Sequence, residues 1–305
     1  MSPHSEKSPN PATASPANTG ASTASKNNAS VVEVAGYVLT ATALSTIIAA
    51  PLLLGFLPET AAGLIVPIAQ LTPLATALIF FAVLRRRQSG RTGNLAHNGR
   101  LKDELALRWT GSARAILVGL GILIVLSAAQ SALGLVTGSQ LRPTNEILIA
   151  AIAVIPILLM QCIFALGEEL GWRGWLASRT ASWSFPKAAA TQSVAWTVWH
   201  LPVIPLILSS ATVDFAVAYL LSIASWAPFF LALRLRSGSV WPAVVLHGGI
   251  NSIRVFFLQS LLDTGGSINW WVEAAGVLLW LAAAAWIMTK SFTFIPCADP
   301  ASDKE

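Results

Sequence analysis

Charge is scarce in this chain. Asp, Glu, Lys and Arg make up 11 % of its 305 residues, whereas a water-soluble domain carries about 25 %. So few charges cannot cover the surface of a soluble globule of this length. Cysteine is scarcer still, with two residues, which excludes a disulfide framework. No glycine-rich phosphate loop, no basic stripe with interleaved aromatics and no internal repeat is present, so no nucleic-acid partner is expected. What remains is apolar material, 54 % of the chain, and this composition points to a polytopic membrane protein.

The first thirty residues differ from the rest. Ser, Ala, Pro, Asn and Thr dominate residues 1–30 without apolar periodicity, a composition that cannot repay the cost of ordering a backbone. A disordered tail is expected there, too polar to start a signal peptide. A transmembrane domain over residues 31–290 and a short cytoplasmic tail at 291–305 complete the organisation. Runs free of acidic and basic residues cover 34–58, 60–84, 115–141, 147–167, 188–213, 215–233, 237–253 and 274–289. Each is close to the ~20 residues that a bilayer-crossing helix needs. The expected fold is therefore all-α, with about eight transmembrane helices.

Lys and Arg concentrate on the cytoplasmic side of membrane proteins. With the N-terminus inside, every Lys and Arg except Arg142 and Arg254 falls in a cytoplasmic segment, above all the basic loop 85–114. Both termini are thus expected in the cytoplasm, and the net charge of +5 reflects topology and attraction to anionic lipid. Trp109, Trp172, Trp175, Trp183, Trp241, Trp270 and Trp271 lie near span ends, where indole rings are favoured.

Ionisable and strongly polar side chains inside a bilayer are costly, and so mark function. Three patterns stand out. In the first, Glu168-Glu169 closes the fourth run and Arg173 follows; Glu169 and Arg173 share a helix face, while Glu168 points about 100° away. The bland reading is an acidic cap on the span with an incidental ion pair. In the second, Trp196 lies one turn before His200, where its ring can hold the imidazole; the bland reading is a histidine satisfied by a backbone carbonyl. In the third, His247 and Asn251 share a face, and Gly248 and Gly249 permit close helix approach; the bland reading is interhelical glue. Arg254 is expected to snorkel to the outer interface, and Cys162 to act as a small packing residue.

Taken together, a carboxylate beside an imidazole can activate water, and an imidazole with an amide can stabilise an oxyanion. That is a kit for amide hydrolysis. At about 1.5 Å per residue, His200 lies roughly 18–20 Å beyond Lys187, whereas Glu168 stands near the cytoplasmic edge. For the groups to meet, the fourth helix should continue through Arg173, or the fifth should start in water near Pro186. The resulting cavity is expected to open to the cytoplasm.

These patterns resemble the three motifs of the CAAX-processing and bacteriocin-processing (Abi) family of intramembrane glutamic endopeptidases. Those motifs read Glu-Glu-x-x-x-Arg, Phe-x-x-x-His and His-x-x-x-Asn/Asp, and here become Glu168-Glu169…Arg173, Trp196…His200 and His247…Asn251. The resemblance covers about residues 147–259, the expected catalytic core, and departs from the family in having Trp196 for Phe. It implies Glu168 as general base with His200, His247 and Asn251 as the oxyanion site, and Glu169 with Arg173 as geometric support. The implied substrate is a membrane-associated, prenylated or leader peptide, and the expected location a bacterial cell membrane. No cofactor is expected, and no His-Glu-x-x-His zinc signature occurs. A Glu/His site can nevertheless capture zinc adventitiously, so metal dependence stays open. The rival readings are a proton-coupled transporter and a catalytically silent scaffold or immunity protein.

Overall fold

The computed structural model describes residues 29–92, 100–109, 111–207 and 212–289. The expected tails lie outside them, apart from Ala29 and Ser30, as do His4, His97 and the middle of the basic loop. Nine helices carry the architecture: α1 (Val31–Leu53), α2 (Ala62–Ala69), α3 (Thr72–Thr92), α4 (Ser112–Val136), α5 (Thr144–Glu169), α6 (Phe185–His200), α7 (Val213–Ser237), α8 (Trp241–Gly249) and α9 (Trp270–Thr289). A two-residue antiparallel pair, β1 (Gln140–Leu141) with β2 (Leu262–Asp263), ties the α4–α5 connection to the segment after α8.

The helices begin and break where local chemistry dictates. Ser30 caps α1, its Oγ accepting from the Glu33 amide at 3.1 Å. Pro186 and Pro242 occupy the first turns of α6 and α8, where a missing N–H costs nothing. Beyond α5 the chain continues as a wide π-helix over Leu170–Leu176 and a last turn over Ala177–Arg179. Two more π-helical stretches, Ile250–Arg254 and Phe256–Ser260, extend α8. Such wide turns carry an extra residue and recur at functional sites.

Among the described residues, six helical stretches are long and apolar enough to cross a membrane: Val31–Leu53, Ala62–Arg87, Ser112–Val136, Thr144–Arg179, Val213–Ser237 and Trp270–Thr289. The other two expected spans correspond to α6, with 16 residues, and to α8, with 9 before its wide turns. The distribution of polarity is inverted relative to a soluble protein. Ile149 and Ile152 on α5 are exposed at 69 % and 79 %, while Glu168, Glu169 and Arg173 at its far end are fully enclosed. An apolar surface of that extent is stable only against lipid or a partner.

α7 is the central helix, packed against α6 on one side and α9 on the other; α8 lies between α4 and α5. Trp172, Trp175, Trp196, Trp199, Phe229 and Phe230 fill the core between them. Trp172 and Trp175 are thus packing residues and not interfacial anchors as their position near a span end suggested. Their rings meet Tyr37, edge-on and stacked respectively, which turns them inward.

Candidate functional site

Two close helix crossings assemble the polar groups. Gly167 lets α5 press on the junction of α2 and α3: a Cβ there would stand 2.5 Å from the Gln70 carbonyl oxygen and 2.8 Å from Leu71 Cα. Gly248 does the same for α8 against α5, where a Cβ would lie 2.6 Å from Cys162 Sγ and 3.0 Å from the Leu158 carbonyl. Cys162 accordingly serves as a small packing residue. The two crossings put Glu168 beside Gln70 and Glu169 beside His247.

The adjacent carboxylates live in different surroundings. Glu169 Oε1 accepts from Arg173 Nη1 at 2.9 Å and meets His247 Nδ1 at 2.8 Å, all three side chains being buried. The Arg173 guanidinium lies over the Trp196 ring at 4.1 Å and faces Phe230 at 4.9 Å, so cation–π attraction holds its other side. Its Nε and Nη2 find no hydrogen-bond partner among the described residues. Glu168, by contrast, is held by neutral donors: Gln70 Nε2 at 3.0 Å and Trp196 Nε1 at 2.7 Å.

The histidines are oriented through Nδ1. His200 Nδ1 lies 2.7 Å from the Trp196 carbonyl oxygen. A carbonyl can only accept, so this nitrogen carries the proton and Nε2 of the neutral ring holds the lone pair. The bond is the one that a satisfied histidine makes, and it also fixes the tautomer. The Trp196 ring meets that of His200 edge-on at 5.7 Å, as its spacing suggested, and meets His247 at 5.4 Å. Asn251 Nδ2 donates to Gln161 Oε1 at 3.2 Å.

Glu168, Trp196, His200, His247 and Asn251 all line one narrow cleft. Glu169 and Arg173 sit behind its wall, outside the lining. The expected continuation of the fourth helix through Arg173 is what brings the groups together: α5 runs on without interruption into the π-helix that carries it. Arg254, by contrast, is buried and does not snorkel; its guanidinium lies over Trp226 at 5.0 Å.

Three cleft or support residues escaped the sequence reading. Gln70 and Gln161 are amides inside apolar runs, and the criterion that found the charged residues would have found them had it included amides. Tyr219, whose ring meets His200 edge-on at 5.8 Å, left no signal beyond being one of two tyrosines. Among the described residues, no three His, Cys, Asp or Glu side chains converge in a way that could hold a metal ion.

No curated protein and no solved structure gave a significant match to the chain. Residues 149–253, which contain all three motifs, match the family model of the type II CAAX prenyl endopeptidase Rce1-like proteins, in agreement with the resemblance that the motifs carry.

Proposed function

We propose that the protein is an intramembrane endopeptidase that hydrolyses a peptide bond of a membrane-associated substrate with a water activated by Glu168 and His200. The observation that carries this reading is the unequal treatment of the two carboxylates. Glu169 is locked to Arg173 and His247, whereas Glu168 reaches the cleft that His200 also lines, held by one neutral hydrogen bond on each oxygen. Glu168 is thus the carboxylate of the two that faces the cleft, with Glu169 engaged behind its wall.

In the proposed step, water attacks the scissile carbonyl carbon and gives its proton to Glu168. The lone pair on His200 Nε2 accepts a hydrogen bond from the same water. The developing oxyanion is met by Asn251 Nδ2 and by Nε2–H of a charged His247, for which Glu169 is the counter-ion. As the C–N bond breaks, the proton on Glu168 passes to the leaving nitrogen. Stabilisation of this kind contributes about 10²–10³ in rate for each well-placed oxyanion donor.

The same reading includes eight crossings, with both termini and the cleft facing the cytoplasm of a bacterial cell. Trp241–Ser260 is helical without a break; as α-helix its 20 residues would reach about 30 Å at 1.5 Å each, and its wide turns over Ile250–Arg254 and Phe256–Ser260 shorten that reach. α6 continues into two short helical turns, Leu201–Val203 and Ile204–Ile207. Both stretches therefore extend through most of a bilayer's thickness.

The test is cleavage of candidate prenylated or leader peptides by detergent-purified protein, comparing the wild type with Glu168→Gln and His200→Ala. Loss of cleavage in both folded variants is expected. Cleavage by Glu168→Gln at the wild-type rate would refute the water-activation scheme, and proton flux into liposomes abolished by the same changes would favour a transporter.

A further inference from the structure

A second cavity lies at the end of the bundle closed by the β1–β2 pair and the turn after it. Tyr219 and Trp226 form a wall that it shares with the catalytic cleft. It is lined by two charged residues, Arg254 and Glu273. The Arg254 side chain is 9 % exposed, and its Nε has no hydrogen-bond partner among the described residues. Its Nη2 stands 3.8 Å from Glu273 Oε2, close enough for attraction but too far for a hydrogen bond. Glu273, 20 % exposed, accepts from Ser222 Oγ at 3.2 Å.

A buried guanidinium with an unmade hydrogen bond is costly, and Arg254 lines the cavity although its unpaired Nε is shut inside the wall. One cation and one anion share the cavity, so an anionic occupant on Arg254 alone would be repelled by Glu273. An occupant with both charges satisfies the two side chains together. Phe215 on the cavity lining is 37 % exposed, and Trp271, next to lining residue Val272, is 74 % exposed. The mouth thus adjoins surface that lipid would cover.

We propose that this cavity binds the headgroup of a zwitterionic phospholipid bearing a primary ammonium. Its phosphate hydrogen-bonds Arg254, its ammonium pairs with Glu273, and its acyl chains lie on the apolar surface of α7 and α9. The guanidinium fork suits phosphate oxygens, and a primary ammonium can donate to the carboxylate where a trimethylammonium cannot. The inference rests on membrane embedding alone and is independent of the peptidase reading.

Native mass spectrometry of the delipidated full-length protein tests it. The protein is offered phosphatidylethanolamine, phosphatidylcholine and phosphatidylglycerol with identical acyl chains. Preferential retention of phosphatidylethanolamine is expected, reduced about tenfold by Arg254→Gln and by Glu273→Gln, since each removes a charged hydrogen bond. Ala218→Leu, which narrows the lining of the cavity and keeps both charges, should reduce retention likewise. Thermal unfolding checks that each variant is folded. If Arg254→Gln does not fold, the other two variants decide: wild-type retention in both overturns the proposal. Equal retention of phosphatidylcholine, or preference for phosphatidylglycerol insensitive to Glu273→Gln, also overturns it. Soluble phosphoethanolamine displacing the lipid at equal concentration would show that the headgroup alone is the ligand and sink the lipid assignment.

Discussion

Replacing Glu168 and Glu169 in turn by glutamine should separate chemistry from architecture. In Glu169→Gln, the Arg173 guanidinium keeps an amide oxygen as acceptor but loses its counter-charge, with a side chain 0 % exposed. Removing one partner of a buried ion pair costs about 3–5 kcal/mol. The amide oxygen, together with the Trp196 ring 4.1 Å away, should hold the loss near the lower figure. His247 loses its carboxylate in the same stroke. In Glu168→Gln no cation is orphaned. One of the two neutral donors, Gln70 or Trp196, then faces an NH₂ group, an unsatisfied contact costing about 1–3 kcal/mol. The assay is an SDS titration in mixed micelles followed by far-UV circular dichroism, with peptide cleavage measured in parallel. Glu169→Gln should unfold earlier than Glu168→Gln, and Glu168→Gln should stay folded yet lose cleavage. Equal midpoints, or an earlier midpoint for Glu168→Gln, would refute the division of roles between the neighbours.

Further outcomes follow from other contacts. Trp196→Phe keeps the aromatic body but loses the 2.7 Å bond to Glu168; it should cost about 1 kcal/mol in the same titration while retaining cleavage, because Phe is the residue of the family motif. Gly248→Ala puts a methyl 2.6 Å from Cys162 Sγ, and overpacking of this kind costs about 1–3 kcal/mol. Adding Cys162→Ala should restore part of the loss, and a double-mutant cycle that showed strict additivity would deny the contact. Arg179→Ala removes a largely buried, two-pronged pair with Glu33, 2.9 and 3.2 Å long, and should cost about 1–3 kcal/mol in the same titration by leaving the Glu33 carboxylate without its partner.

What was legible in the chain was local or periodic. The Glu169–Arg173 pair is four residues apart on one helix, so spacing alone places it, and the apolar runs locate the helices because lipid demands length. The partners of Glu168 were not legible. Gln70 is 98 residues away, and its amide reaches the carboxylate only because Gly167 lets two helices touch. Arg254, Trp172 and Trp175 were misplaced for one reason: nearness to a span end says nothing about which side of the helix a residue faces. Burial of Trp172 depends on Tyr37, from another helix. The wide turns were invisible as well, since an added residue per turn leaves the apolar run unbroken.

The wide turn at Leu170–Leu176 sits between the two carboxylates and everything the chain builds after them. An added residue there rotates the downstream segment by about 100° relative to an unbroken α-helix. Loss of a single codon in this stretch would therefore leave a continuous, equally apolar helix. It would nevertheless swing Trp175 off Tyr37 and carry Arg179 away from Glu33, the clasp that fastens the beginning of α1. For such a protein a one-residue deletion is a steering change as well as a shortening, and the heptapeptide acts as the dial that aims the N-terminal helix at its seat.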